Sequence, residues 1–431
     1  MRWAHSSMRG ALRRNVLAAG VVAALGLGLG ACGDSGSSSS AEAPRAGAKG
    51  TVKIGLPAPL SGRSAADGEM AERGARLAID EINARGGVEG YTFQLVPADV
   101  EDSTPDKVTK ALERLFADDE VEVLTTTYAS TSNFEFDMVA ERGMPYLIGG
   151  NPDQTQAIVK KDPDRYATIW CLNPVYDLKY DLFRFMDDSA ADGKAELRDR
   201  TVFMINSDNP YSTDLFRNMK RRFVENGWKI VGEENVPSTQ ISDWRGIITK
   251  IKSANPDVIT NFDYNPSNEA LFLQQFLENP SQSYLWMDYA PSVPEFIELT
   301  GDQANGVIWS LLGAPIRTLP RTQEIVEKYK DKYGDEPSGV APQLYDQVYM
   351  YAEALEKVRD PKDHAAIGKA LGEMRMETTR GLIELDPKTH TAKYGDDHIP
   401  AQYFQYQDEE VATVSPSTIA DGELTNPPWW D

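Results

Sequence analysis

The chain has 431 residues, 41% of them hydrophobic and 26% charged, with 44 Lys and Arg against 66 Asp and Glu and a net charge of −22. A surface this acidic repels nucleic acid and no basic patch offsets it, so a nucleic-acid partner is excluded. Two cysteines and four histidines leave no material for a disulfide framework and little for a metal site.

At the N-terminus, Arg9, Arg13 and Arg14 precede an apolar run over 16–29, and Gly30, Ala31 and Cys32 follow. That order describes a secretory signal peptide over 1–31. The apolar run is shorter than the roughly 20 residues that cross a bilayer as a helix. Met1 and Met8 are both serviceable starts. Leu29-Gly30-Ala31-Cys32 resembles the bacterial lipobox, which implies that Cys32 is lipidated and becomes the new first residue; an ordinary signal peptide with an incidental cysteine is the alternative. Residues 32–50 carry a run of four serines and read as a flexible tether. Several lipid chains anchor a protein stably where one does not, so an extracytoplasmic, lipid-anchored domain is expected. Residues 1–31 hold four arginines and no acids, so their removal takes the net charge from −22 to −26. Cys171 then stands alone within Ile169-Trp170-Cys171-Leu172 and reads as a buried small hydrophobe.

The roughly 380 residues beyond the tether exceed what a single core usually serves, so two domains are expected. Strands are predicted over 51–56, 92–98, 121–127 and 145–149, alternating with helices over 67–84, 106–117 and 133–142. The rhythm restarts after the loop-rich 162–174 stretch. Strands are predicted over 201–206, 229–236, 257–262 and 284–287, with helices over 213–225, 242–252 and 268–277. This alternation calls for two α/β lobes, each a doubly wound parallel sheet. A strand over 306–311 and helices over 322–333, 344–358 and 365–374 follow, and periodicity does not assign them to a lobe.

Catalytic signatures are missing. No Gly-rich segment ends in Lys-Ser or Lys-Thr, no His-Glu-x-x-His pair occurs, and there is no Gly-x-Ser-x-Gly turn. His390 and His398 lie near Asp386, Asp396 and Asp397, but turns are commonly rich in Asp and His. No metal and no cofactor are expected, and no enzyme.

Lys53-Ile54-Gly55-Leu56-Pro57-Ala58-Pro59-Leu60-Ser61-Gly62, then Gly74-Ala75-Arg76-Leu77-Ala78-Ile79-Asp80-Glu81-Ile82-Asn83 and Gly86-Gly87, resemble the opening of the branched-chain amino acid (leucine/isoleucine/valine) type of periplasmic binding protein. So do Pro294-Glu295-Phe296-Ile297-Glu298-Leu299, Ala304-Asn305-Gly306-Val307 and Tyr345-Asp346, in an order that runs over 51–414. The resemblance implies a type I periplasmic-binding fold of two lobes joined by a three-strand hinge. It places 51–174 and 305–399 in the first lobe and 175–304 and 400–431 in the second. It implies a small-molecule ligand, the permease subunits of an ABC importer as partners, and a monomer.

Ligand contacts carried over by position are Ser61, Tyr128, Ala129, Ser130, Gly149, Gly150 and Asn151 in the first lobe. In the second they are Tyr211, Asp263, Tyr264, Asp288 and Tyr289. Small residues at 149–150 let backbone N–H groups approach an anion, and a hydroxyl at Ser130 would help near a helix N-terminus. Tyrosine rings would cover an apolar part, and Asp263 or Asp288 would pair an α-ammonium group. The chain departs from the family's Ser/Thr-rich pattern at Gly149-Gly150-Asn151-Pro152-Asp153-Gln154, and Trp170-Cys171-Leu172-Asn173-Pro174 is unusual at the first crossing. The ligand therefore stays open among an amino acid, an amide and a small carboxylate. A sensory subunit for a membrane kinase or receptor, and a lipid-anchored hydrolase, are the alternative functions.

Overall fold

All four strands predicted within 51–149 form in the computed structural model, which describes residues 49–430 other than 63, 176–180, 338 and 396. The signal peptide, Cys32 and nearly all of the tether lie outside the described residues. The first lobe opens with β1 (Gly50–Ala58), α1 (Ala65–Ala84), β2 (Tyr91–Asp99), α2 (Pro105–Ala117), β3 (Val123–Thr126), α3 (Phe136–Ala140) and β4 (Tyr146–Ile148). Two unpredicted elements follow, α4 (Pro152–Val159) and β5 (Ile169–Cys171). At eight and three residues they are too short to show a period.

The second lobe runs α5 (Leu182–Ala191), β6 (Thr201–Asp208), α6 (Pro210–Glu225), β7 (Lys229–Pro237), α7 (Arg245–Ala254), β8 (Val258–Asn261), α8 (Pro266–Leu277), β9 (Tyr284–Met287), α9 (Pro294–Thr300) and β10 (Ile308–Leu312). Then come α10 (Pro320–Tyr333), α11 (Val340–Val358), α12 (His364–Gly372), β11 (Arg375–Thr378), β12 (Gly381–Asp386), β13 (Thr391–Ala392), β14 (Ala401–Gln407) and β15 (Glu410–Ser415). Proline occupies the first turn of α2, α4, α6, α8, α9 and α10. There its fixed φ suits the helix and its missing N–H costs nothing.

The strands form two sheets, ordered β11-β12-β13-β5-β4-β3-β1-β2 and β15-β14-β10-β9-β8-β6-β7. Each contains five parallel strands in the same order, β2-β1-β3-β4-β5 in one and β7-β6-β8-β9-β10 in the other. The edges are not parallel as expected. β11 and β12 run antiparallel beside β13, and β14 and β15 antiparallel beside β10. Both are hairpin additions from the C-terminal quarter of the chain.

One boundary is corrected. The stretch from 305 to 312 belongs to the second sheet, not the first lobe. β10 pairs in parallel with β9 and antiparallel with β14, and Trp309 stacks on Phe404 with ring centroids 4.2 Å apart. It is the fifth parallel strand that the second sheet requires. The return to the first lobe comes just after, where the Ile316 N–H donates to the Thr379 carbonyl at 2.8 Å. The late helices then pack on the first sheet: Ile325, Tyr329, Leu344, Leu355 and Ile367 share its core with Ile54, Ala78 and Leu147. The chain thus passes between sheets three times, after β5, β10 and β13.

The second core centres on Trp286, which is fully buried on β9 among Val202, Val258 and Phe262, with its Nε1 donating to Ser310 Oγ at 3.3 Å. Trp286→Ala should cost about 3–5 kcal/mol, read as a lowered midpoint in urea unfolding followed by far-UV circular dichroism.

Candidate functional site

In a sheet ordered 2-1-3-4-5 the chain leaves the first strand in one direction and the third in the other, which opens a crevice at the carboxyl ends of the strands. The crevices of the two sheets face one another. α1 and α4 start beside the first, α6 and α8 beside the second, so four helix N-termini gather there; those of α6 and α8 are capped by the Asn209 and Asn265 side chains. Between them lies a cavity of about 170 Å³. A cavity of about 150 Å³ holds a benzene-sized molecule, so this one suits a small organic solute.

Both lobes line it. Ser64, Asp67, Tyr128, Gly149, Gly150 and Asn151 come from the first, Tyr211, Tyr264 and Tyr289 from the second, and Asn173 and Gly313 from the first two crossings. Asp67 is central. The Tyr128 hydroxyl donates to its Oδ2 and the Tyr289 hydroxyl to its Oδ1, each at 2.7 Å. Tyr289 follows β9, so the second of these bonds joins the lobes directly. A further cross-lobe bond runs from Gln154 Nε2 on α4 to Asp214 Oδ2 on α6 at 3.1 Å. Gly68 seats Asp67, because a Cβ there would lie 2.1 Å from the Pro59 carbonyl oxygen, and so the start of α1 presses onto the loop after β1. Gly149 has a similar reason: a Cβ would meet the Gln343 amide at 2.4 Å. That amide donates to the Gly149 carbonyl and to Asn173 Oδ1, each at 3.3 Å, and ties the cavity floor to the first crossing.

The structure brings seven of the twelve expected ligand residues to the cavity wall: Tyr128, Gly149, Gly150, Asn151, Tyr211, Tyr264 and Tyr289. The other five stand off it. Ser61 is exposed and hydrogen-bonds Asp99. Ala129 is fully buried in the first-lobe core. The Ser130 hydroxyl donates to Glu135 at 2.6 Å and accepts from the Asn133 N–H, closing its own turn. Asp263 is buried and caps the entry to α8, accepting from the Asn265 N–H and Asn268 Nδ2. Asp288 is buried at the end of β9. Asp67 and Gln343 were not anticipated. The signal available for Asp67 was an acid in the first turn of a helix opening after a Ser-Gly loop, which is an ordinary helix-terminus pattern.

Among the described residues no group of three or more His, Cys, Asp or Glu side chains gathers in a metal-binding arrangement. His390 stacks on Trp170 with centroids 4.2 Å apart, and its Nδ1 lies 3.1 Å from the Ile169 carbonyl; His398 Nε2 faces Glu384 at 3.4 Å. Burial pushes the Cys171 thiol up to about 12, away from nucleophilic use. A larger hollow of about 530 Å³, lined by Arg85, Arg321 and Tyr349 among others, lies on the first lobe alone and away from the facing crevices. No helix among the described residues is long and apolar enough to cross a membrane.

The sequence profile described as periplasmic binding protein matches residues 51–395. The Leu/Ile/Val-binding protein homolog 7 of Brucella suis biovar 1 is 28% identical over 391 residues, which cover 87% of this chain and 94% of that protein. A crystal structure from Silicibacter pomeroyi, described as a candidate branched-chain amino acid ABC transporter, superposes with a TM-score of 0.80 at 26% identity, covering 88% of this chain and all of that one. A leucine binding protein from Thermotoga maritima gives a TM-score of 0.69 at 20% identity, covering 84% and 97%, and shares the fold.

Next to the second-lobe wall, Glu269 in the first turn of α8 is fully buried, and neither carboxylate oxygen has a hydrogen-bond partner. Burial holds its pKa well above the usual carboxylate range, and the neighbouring Asp263 and Asp288 push the same way. An acid whose folded pKa is raised contributes stability that is fully present below its unfolded pKa and lost as pH rises through the folded one. Glu269→Gln cannot ionise, so its advantage over the parent should grow from pH 4 to pH 8 and reach about 1 kcal/mol or more. Melting temperatures of the two proteins across that range provide the check.

Proposed function

We propose that this chain, which belongs to the periplasmic binding protein family, captures one small solute between its lobes and delivers it to the permease of an ABC importer. The carrying observation is the cavity at the facing crevices, walled by both lobes and spanned by the Tyr289–Asp67 hydrogen bond. A solute entering an open cleft would gain contacts to both walls only on closure. Closure at the three crossings is therefore the step that solute drives, and the closed form is the one a permease can distinguish. The names of relatives that bind leucine, isoleucine or valine support an amino acid, with an amide or small carboxylate as the other classes the cavity size admits. The family binds solutes without transforming them. One chain supplies both walls, which suits a monomer.

The family places the protein outside the cytoplasm. We read Cys32 as the anchor to the cell membrane, on the strength of Leu29-Gly30-Ala31-Cys32 and the serine-rich tether. Cys32→Ser should move the protein from the membrane pellet to the soluble fraction and end its labelling by a fatty-acid analogue.

Titration of the full-length protein with amino acids, amides and small carboxylates tests the main reading. A true solute at 100 times its Kd adds about 2.7 kcal/mol of stability, seen as a rise in melting temperature. Tyr211→Ala should weaken that solute about tenfold or more while leaving the melting temperature of the free protein within a few degrees. A protein that no solute stabilises would not be a solute carrier.

A further inference from the structure

A carboxylate withdrawn from water is ordinarily matched by a cation. Asp67 is 7% exposed, and its hydrogen bonds run to two neutral donors, the hydroxyls of Tyr128 and Tyr289. Burial lifts its pKa, and the two hydroxyls bring it only part of the way back. No Lys, Arg or His lines the cavity among the described residues, whereas Glu101 and Asp102 add two more carboxylates at its edge. Asp67 is not occupied as a helix cap either: Ser64 stands at the N-cap of α1, and no backbone N–H of the first turn is bonded to the Asp67 carboxylate. Each oxygen accepts one hydrogen bond and keeps further acceptor capacity, on a residue that lines the cavity.

The rest of the wall fits the same partner. Tyr211 and Tyr264 meet edge to face at 6.5 Å and 82°, and with Tyr128 and Tyr289 they bring four rings to the cavity. The faces of such rings attract organic cations, most strongly where water is excluded. We propose that the solute carries an organic ammonium group, and that this group seats on Asp67 within the tyrosine wall, so that the first lobe, and not the Asp263 and Asp288 side of the second, receives the positive charge. This rests on the solute-capture reading above. It narrows that reading by removing solutes that carry only a carboxylate or an amide. The competing role for Asp67 is a strut that merely braces the two lobes through its tyrosines.

Calorimetric titration of the full-length protein separates these. The probes are isoamylamine, putrescine and L-leucine, each with an ammonium group, against 4-methylpentanoate, benzoate, isovaleramide and glucose, which have none. Binding should be confined to ammonium probes, and Asp67→Asn should weaken it roughly 30-fold or more. The same variant should melt no lower than the parent without solute, because it removes a buried charge. Gln154→Ala breaks the other cross-lobe bond at a residue that does not line the cavity, and should hold ammonium probes within a few fold of the parent. Binding of a neutral or anionic probe that Asp67→Asn leaves unchanged would overturn the assignment while sparing solute capture. So would a variant that melts lower and loses all probes alike, which is what a strut predicts. Silence from every class would overturn solute capture and this inference together.

Discussion

A carboxylate held out of water between two tyrosine hydroxyls, one from each half of the molecule, organises this structure. Asp67 sits where it does because α1 begins hard against the loop after β1, an approach that only Gly68 permits. Tyr289 reaches it because β9 ends at the matching place in the other sheet. Neither side chain could meet the other unless the two sheets presented the same ends to one cleft. The shared 2-1-3-4-5 strand order achieves that, since each lobe's crevice opens at its own reversal point.

The three crossings make this arrangement adjustable. Around the cavity floor, Gln343 links Gly149 to Asn173, and the fully buried Arg380 donates to the same Asn173 Oδ1 at 2.8 Å and to the Leu172 carbonyl at 3.3 Å. Arg380 answers Asp346, also fully buried, whose Oδ2 accepts from the Thr379 hydroxyl and N–H. The first crossing, the segment before β12 and the start of α11 are thus one polar cluster inside the first lobe. Cavity and hinge share atoms, so occupancy of one bears on the geometry of the other.

Much of this was legible in the residues, and the parts that were not share a cause. A strand such as β9, buried along its whole length, reads as a continuous apolar run, and helices such as α1 and α11 are long enough to show their period. β5 and β13, with three residues and two, have no period to show, and they exist because neighbouring strands offer them partners. β10 was recognised as a strand, yet its sheet was not, because pairing with β9 and β14 is a long-range choice. Four tyrosines of the wall came from the resemblance by position, as did Gly149 to Asn151. Asp263 and Ser130 looked like ligands and serve their own turns instead, since short polar side chains bond nearby backbone whenever a loop allows it.

The sequence by itself determined the class of fold, the two-lobe organisation, the family and the regions where strands hand over to cleft loops. Those follow from local periodicity and from ordered motifs. Only the tertiary structure decided which sheet holds β10, and which of several carboxylates lines the cavity. Asp67, Asp263 and Asp288 are alike as letters, each beside a helix start or a strand end. One lines the cavity and two are buried off its wall, and that difference arises from how two sheets far apart in the chain are turned toward each other.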